Sequence, residues 1–233
     1  MRRLTLSLDG LPALRDATGS RELDLAAAVT LAGLAGVDGV RLGVIEELRP
    51  VRETDVTECR RAARQLELRM APTPALVKVA LEARPDRVVL SNHASGGSAP
   101  LDLRGRSVAL DPVVRTLAEA GIPTAALVTP DLEAVKSVHG ESIPGIEFYT
   151  GSIVDLPDSE RRVELERLGD AVRLAAKLHM SIGVGGALSF RSLPEVLEAC
   201  PAADSVCVGR AALGRALLVG IDRTVRDLRA LVA

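Results

Sequence analysis

Two glycine-rich stretches near the end of the chain contain residue types that can hold an anion. They are "GVGGAL" (183–188) and "VGRAALG" (208–214), and each continues a short apolar run. Glycine lets the backbone approach a ligand closely, and the first N–H groups of a following helix attract negative charge. Arg210 adds a guanidinium with two parallel donors. Together they indicate a phosphate site, with glycines that only make tight turns as the alternative.

Groups that could move protons near neutral pH are scarce. The chain has three histidines, and His139 and His179 fall where structural roles are expected. His93, in "LSNHASGG", closes a predicted strand, so it is either a catalytic candidate or a polar loop residue. The lysines fall in helical patterns, which argues against a Schiff-base lysine at a strand end. The three cysteines lack CxxC spacing and are expected to be buried thiols in a reducing compartment.

Four charged residues on or just after predicted strands form a second group. Arg41 and Arg69 fall within strands, and Asp9 and Glu147 are plausible partners because an unpaired charge inside a barrel is costly. The alternatives are a structural ion-pair network and a reactive site. A mouth rich in arginine predicts a ligand that carries a carboxylate besides its phosphate, or a higher charge.

The elements that position these residues alternate between strand and helix. Parallel strands joined by right-handed helical crossovers are expected from this order. Eight repeats in 233 residues predict one (β/α)8 barrel domain over 1–233. The connections 9–23 and 91–109 are longer than needed and are expected at the carboxyl-terminal face, as lids or as surface insertions. The strand candidates are 2–9, 39–45, 66–71, 87–93, 123–130, 145–151, 181–187 and 205–209.

Composition excludes several partners. A formal charge of −2 with one Tyr, two Phe and no Trp lacks the basic and aromatic signature of a nucleic-acid binder. The start, "MRRLTLSLDG", has no apolar signal region, and no apolar run of about 18 residues follows. We therefore expect a soluble, cytoplasmic protein that contacts neither nucleic acid nor membrane.

Six segments resemble, in order and spacing, the pyridoxine 5′-phosphate synthase family, and the resemblance covers nearly the whole chain. It implies a (β/α)8 barrel that forms a homo-oligomer, usually an octamer built from dimers. It also implies condensation of 1-deoxy-D-xylulose 5-phosphate with 3-amino-2-oxopropyl phosphate, without metal or other cofactor. The segments are 6–19, 36–56, 66–73, 146–151, 183–190 and 207–220.

Part of the family's site is retained. The first-strand motif, Asn-x-Asp-His in the family, reads Ser7-Leu-Asp9-Gly10, so of its three defined residues only the aspartate, Asp9, is retained. Arg15 matches a phosphate-contacting arginine of the next segment, and Glu147 matches the glutamate of strand 6. The residues expected to bind substrate or phosphate are Ser7, Arg15, Arg69, Gly185, Gly186, Ala187, Gly209 and Arg210.

The proton-transfer groups that the resemblance implies are replaced. Family histidines and one arginine are lost, and the catalytic glutamate of strand 3 becomes an arginine, which reverses its charge. Glycine, isoleucine, proline and arginine cannot move protons near neutral pH, so the family mechanism is not expected to operate unchanged. The replacing residues are Gly43, Ile45, Pro50, Arg69, Tyr149, Gly186 and Arg210.

Three functions remain open at this point. The first is a divergent enzyme that condenses or cleaves a phosphorylated metabolite, with Glu147 or Asp9 as acid or base and Arg15, Arg69 and Arg210 holding anions. The second is a catalytically inactive paralogue that binds a phosphorylated ligand or pairs with an active synthase. The third is retained pyridoxine 5′-phosphate synthesis through relocated residues such as His93. An ordered lid over 91–109 favours an enzyme.

Overall fold

A computed structural model describes residues 1–94, 97–103 and 110–232, with the backbone alone for 93, 94, 97 and 98. Eight parallel strands close into a barrel in the order β1-β10-β9-β8-β7-β4-β3-β2, which confirms the (β/α)8 prediction. The barrel strands are β1 (Arg3–Ser7), β2 (Gly39–Gly43), β3 (Leu66–Met70), β4 (Arg87–Leu90), β7 (Thr124–Val128), β8 (Gly145–Tyr149), β9 (Ser181–Gly185) and β10 (Ser205–Val208).

Helices cover the outside of the barrel. Apolar side chains on one face of each contact the strands, as in α10, where Val225 and Leu228 are fully buried. The helices are α1 (Gly10–Thr18), α2 (Leu25–Ala35), α3 (Glu53–Ala62), α4 (Pro74–Ala83), α5 (Leu110–Glu119), α6 (Leu132–Gly140), α7 (Asp158–Lys177), α8 (Leu193–Ala199), α9 (Arg210–Val219) and α10 (Ile221–Val232). Within the described part of the chain, none of them is both long enough and apolar enough to cross a bilayer.

The connection 9–23 is mostly helical, unlike the long loop expected from the sequence. Helix α1 occupies Gly10–Thr18, with Pro12 in its first turn, where the missing N–H costs no helical bond. Gly19 ends it with φ 65°, a left-handed conformation that glycine adopts readily. The first strand therefore leads into a short helix at the rim of the barrel.

The connection 91–109 begins with a small hairpin. Strands β5 (Asn92–Ala94) and β6 (Gly97–Ala99) pair antiparallel beside the barrel sheet. The Leu101 N–H then donates to the Leu127 carbonyl at 2.7 Å, which ties the segment to β7. Residues 104–109 of the predicted lid lie outside the described residues.

The inside of the barrel contains charge as well as apolar packing. Most buried side chains are aliphatic, as expected for parallel strands covered on both faces. Four charged side chains on the barrel strands are nevertheless 2–6% exposed, namely Arg41, Glu67, Arg87 and Glu147. Charges at this depth need partners of opposite sign.

Candidate functional site at the mouth of the barrel

Arg41 on β2 is the centre of a buried ion-pair layer. Its Nε and Nη2 donate to Oε2 of Glu67 at 3.0 and 2.7 Å, and its Nη1 and Nη2 donate to the two carboxylate oxygens of Glu147 at 2.6 Å each. Burial opposes the charge, but Cys207 and the two glutamates raise the pKa of Arg41 well above its ordinary value. Every nitrogen of this guanidinium is occupied by protein.

Glu147 on β8 pairs with Arg41. The sequence had indicated Glu147 as a plausible partner for one of the two strand arginines. Burial alone would raise its pKa, but the charge and hydrogen bonds of Arg41 outweigh this and lower the pKa of Glu147. Both of its oxygens accept from Arg41, so near neutral pH the group has no proton to donate. This geometry disfavours the predicted acid or base role of Glu147.

Arg87 on β4 and Glu67 on β3 complete the layer and escaped the sequence analysis. Nη1 of Arg87 lies 3.4 Å from Ser205 Oγ and 3.9 Å from Glu67 Oε1. Its Nη2 is buried and has no hydrogen-bond partner among the residues the structure describes. Burial lowers the pKa of Arg87 despite the nearby glutamates. A usable signal was present for Glu67, a charge between two leucines inside β3, whereas Arg87 is the first residue of β4 and gives no such signal.

Glycines on β9 make room for this layer. A Cβ on Gly185 would lie 2.8 Å from Glu147 Oε1, and one on Gly183 would lie 3.4 Å from Oε2. The Gly185 carbonyl accepts from the N–H and hydroxyl of Thr150 at 2.8 and 3.2 Å. Gly185 therefore faces Glu147 and does not line the mouth cavity, in contrast to its predicted contact with phosphate.

Asp9 and Arg69 form a second ion pair, at the carboxyl ends of the strands. Nη2 of Arg69 donates to Asp9 Oδ2 at 2.5 Å, which confirms that Asp9 partners an arginine. The Ser7 hydroxyl donates to the same oxygen at 2.9 Å, and the Gly43 N–H donates to Oδ1 at 2.5 Å. Three donors thus fix this carboxylate at the mouth.

A cavity of about 700 Å³ opens above these pairs at the carboxyl-terminal face. Its floor includes Arg41, Asp9 and Arg69, and the hairpin contributes Asn92 and Ala99. This face of a (β/α)8 barrel is where such folds build their active sites. The wall on the side of β9 and β10 consists of Ser7, Gly186, Ala187, Leu188, Gly209 and Arg210.

In the part of the wall formed by residues 186–188 and 209–210, several backbone N–H groups have no hydrogen-bond acceptor among the described residues. No acceptor among the described residues bonds the N–H groups of Gly186, Ala187, Leu188 or Gly209. Helix α9 begins at Arg210 without a side-chain cap, so its first N–H groups point outward with the positive end of the helix dipole. Arg210 is exposed and makes no ion pair within the described part of the chain.

Gly186 is required by the shape of the wall. Its φ is +95°, which side-chain-bearing residues rarely adopt, and an added Cβ would lie 2.5 Å from the ring of Tyr149. Tyr149 thus occupies the space beside the wall. The predicted placement of Gly186, Ala187, Gly209 and Arg210 around one cavity agrees with the structure.

The predicted residue Arg15 is not placed at this cavity. Arg15 on α1 donates to Asp55 Oδ1 and Oδ2 at 2.6 and 2.9 Å and to the Pro50 carbonyl at 3.2 Å. It does not line the cavity, so its predicted phosphate contact is not supported by the geometry. The side chain of His93 lies outside the described residues, and its predicted role stays a prediction.

The remaining titratable groups are structural in their placement. Cys59, Cys200 and Cys207 are free and buried, and burial raises the pKa of each thiol to about 12. In the ranges 1–94, 97–103 and 110–232, no three His, Cys, Asp or Glu side chains cluster as metal ligands would.

The fold and the mouth define a class: a (β/α)8 barrel with glycine-rich turns after its last two strands and an open helix N-terminus beside them. A family model described as "Pyridoxal phosphate biosynthesis protein PdxJ" matches residues 4–233. The chain belongs to this family.

Individual relatives agree with the family assignment. The chain is 33% identical over 236 residues to a pyridoxine 5′-phosphate synthase of Geobacter metallireducens, covering 98% of this chain and 97% of the relative. It is 31% identical over 241 residues to that of Pelobacter propionicus, covering 100% and 99%. The match therefore extends over both full lengths.

Solved structures share the fold at low identity. A thiamine phosphate pyrophosphorylase from Pyrococcus furiosus matches with TM-score 0.66 and 15% identity, covering 99% of this chain and 95% of that chain. A 3-hexulose-6-phosphate synthase matches with TM-score 0.62 and 15% identity, covering 99% and 100%. At this identity the likeness shows the barrel fold alone.

Proposed function

We propose that the chain binds a small phosphorylated metabolite at the mouth of the barrel and catalyses its condensation or elimination. One observation carries the proposal: residues 186–188, 209 and 210 line one cavity, and the N–H groups of 186–188 and 209 have no acceptor among the described residues. Unpaired N–H groups, a helix N-terminus and an arginine together favour a phosphate. Membership of a family that makes a phosphorylated vitamin supports the same ligand class.

Asp9 is the residue we assign to proton transfer. It lines the cavity, whereas the oxygens of Glu147 are held below it by Arg41. A carboxylate is a base at neutral pH, and Arg69, bonded to Asp9, can stabilise negative charge that develops on the substrate. In the step assigned to Asp9, Oδ2 takes a proton from a carbon of the substrate, and the electron pair of the broken C–H bond moves onto a substrate oxygen beside Arg69.

Divergence from the family reaction follows from the replaced groups. Gly43, Arg69, Gly186 and Arg210 stand where the resemblance implies histidines and a glutamate, and none of them exchanges protons near pH 7. Phosphate binding depends on backbone N–H groups and tolerates these replacements. We therefore propose that the ligand belongs to the same chemical class as the family's substrates and that the reaction differs from the family's.

A thermal-shift and calorimetric screen tests the binding. Phosphorylated metabolites, both family substrates and inorganic phosphate should raise the melting temperature of the wild type, because ligand binds the folded state. Arg210→Ala should weaken the effect. Arg173→Ala, in an exposed pair on α7, is the matched control and should not. No shift with any phosphate compound, in a protein that is folded, overturns the proposal.

A catalytically inactive paralogue is the second candidate. The observation that favours it is that all three carboxylates described at the site, those of Asp9, Glu67 and Glu147, are engaged by arginines. Such a protein would bind the phosphorylated ligand without turning it over. The test is product analysis after incubation with phosphorylated substrates, comparing wild type with Asp9→Asn; turnover lost in the variant supports an enzyme.

Retained pyridoxine 5′-phosphate synthesis is a weaker alternative. It needs a relocated proton-transfer group such as His93, at the start of the hairpin. Growth of a pyridoxine auxotroph that carries this gene would support it, and the absence of growth with the protein expressed would overturn it.

We also propose that the chain works in the cytoplasm as a homo-oligomer. Exposed apolar side chains on α2 and α9 favour association, since Leu34 is 81% and Leu218 84% exposed. An apolar groove of about 290 Å³ runs between these helices. Light scattering coupled to size exclusion should give a dimer or larger species; a monomer at micromolar concentration contradicts it.

A further inference from the structure

The geometry points to a carboxylate subsite at Arg69, so that the ligand is a small phosphorylated carboxylic acid. This inference rests on the proposed phosphate site and goes beyond it by naming a second anionic group. It follows from three features of the cavity: the free donors of Arg69, the excess of arginine on the lining, and the adjacency of Arg69 to the wall formed by 186–188 and 209–210.

Arg69 has more donors than the protein uses. Nη2 binds Asp9, Nε is buried without an acceptor, and Nη1 makes no hydrogen bond to any described residue. The side chain is 14% exposed and lines the cavity. An unsatisfied buried donor destabilises the empty site, so a ligand oxygen that accepts from this guanidinium gains an interaction that water supplies poorly.

The lining is unbalanced in charge. It contains four arginines, Arg41, Arg49, Arg69 and Arg210, and a single carboxylate, Asp9. Arg41 is neutralised by the glutamates beneath it, and Asp9 offsets Arg69. Arg49 and Arg210 remain without ion pairs in the described residues, which leaves the mouth with two uncompensated positive charges and favours an anionic ligand.

The two anion sites are neighbours across the strand ends. Ser7 donates to Asp9 Oδ2, which Arg69 also binds, and a Cβ on Gly209 would lie 3.1 Å from Ser7 Cβ. Strands β10, β1, β2 and β3 are consecutive in the barrel, so Arg210 and Arg69 lie three strands apart, and both line the same cavity. The backbone N–H groups of the wall suit the phosphate, and the unused Nη1 of Arg69 suits a carboxylate oxygen.

Matched ligands separate the two anionic groups. The first pair is 3-phosphoglycerate and glycerol 3-phosphate, which differ only by carboxylate against hydroxymethyl. The second is 6-phosphogluconate and sorbitol 6-phosphate, which keep that difference on a longer chain. Affinities are measured by calorimetry on wild type, Arg69→Gln, Arg69→Lys and Arg49→Gln. Arg49→Gln is the control, because it removes a lining charge elsewhere on the rim.

We expect wild type to bind the acid of at least one pair about tenfold more tightly than its alcohol, a difference of about 1.4 kcal/mol. Arg69→Gln should abolish that preference and leave the affinity for the alcohol within about threefold. Arg69→Lys should keep part of the preference, since it retains charge without the fork. Arg49→Gln should weaken acid and alcohol equally. If Arg69→Gln does not fold, the lysine variant carries the test.

Three results overturn the subsite. In the first, the wild type binds acid and alcohol with equal affinity, and Arg210→Ala still weakens the binding of both. This result rejects the carboxylate subsite and retains the phosphate site. A preference that persists in Arg69→Gln assigns the carboxylate to another residue. If no member of either pair binds while other phosphate compounds raise the melting temperature, the subsite alone is overturned; if no phosphate compound binds the folded protein, the proposed function fails and the subsite with it.

Discussion

Arginine occurs in this barrel in two opposite conditions. Inside, Arg41 gives every nitrogen to Glu67 or Glu147 and is 2% exposed. At the rim, Arg210 stands beside unbonded N–H groups and has no described partner. In the inner region, buried glutamates neutralise the charge of Arg41, so this charge serves only to stabilise the fold. In the outer region, the charge of Arg210 is unpaired and is available to a ligand. The same residue type is structural in one place and available for recognition in the other.

The sharpest test of the inner region is Arg41→Met. It leaves two buried carboxylates without their cation, and removing one side of such a pair costs about 3–5 kcal/mol. We expect the free energy of unfolding, from urea titration, to fall by that amount. Arg41→Met combined with Glu67→Gln, Glu147→Gln and Arg87→Met should recover much of the loss, because no charge of the layer is then left buried without a partner. A loss below about 1 kcal/mol would show that the layer does not stabilise the fold.

Glu147→Gln tests the same layer through pH. The variant should lose about 2 kcal/mol of stability at neutral pH, because a charged hydrogen-bonded pair becomes a neutral one. The folded pKa of Glu147 lies below its ordinary 4.5, so the stabilisation is complete above that value and disappears as pH falls through the lowered pKa. The difference between wild type and variant should therefore be constant from about pH 8 to 5 and shrink below 4.5. A difference that is independent of pH contradicts this assignment.

Arg210→Ala tests the outer region. Removing the Arg210 side chain should raise the Kd for glycerol 3-phosphate about tenfold, a loss of about 1.4 kcal/mol of binding free energy, because one charged donor is removed from an open site. The free energy of unfolding should change by less than about 0.5 kcal/mol, since the residue is exposed and unpaired. Calorimetry and urea titration on one preparation give both numbers. A large fall in the free energy of unfolding, with an unchanged Kd for glycerol 3-phosphate, would show that Arg210 stabilises the fold and does not bind the ligand.

The smallest effect is expected for a surface pair far from both regions. Lys136 and Glu133 on α6 lie 2.7 Å apart, and their side chains are 60% and 75% exposed. Lys136→Ala should change the free energy of unfolding by less than about 0.5 kcal/mol, because water screens exposed pairs. The same urea titration applies. A loss comparable to that of Arg41→Met would mean that burial does not explain the difference.

The fold was predictable because its signal is periodic. Apolar runs alternating with amphipathic segments gave the barrel, and only the first connection was misread, since Gly10 and Pro12 are typical of loops as well as of first helical turns. The charges on the strands likewise predicted acidic partners for Arg41 and Arg69, with Asp9 and Glu147 as candidates, but only the structure shows that Arg41 pairs with Glu147.

What escaped prediction depends on distant partners or on space. Arg15 is held by Asp55, forty positions along the chain, and nothing local to Arg15 indicates that. Gly185 resembles a ligand-binding glycine in sequence, but it is small because Glu147 needs the room. Glu67 was missed because its function is to balance an arginine on another strand.

The ion-pair layer also constrains how this chain can change. Arg41, Glu67 and Glu147 come from three strands, and altering any one of them alone exposes the others to an uncompensated charge in the interior. A design that seeks to bring a new proton-transfer group into this barrel must therefore exchange all three residues in a single step, or work only with the rim. The buried charges must therefore change together, whereas exposed Arg210 on the rim can be replaced without leaving a buried charge unpaired.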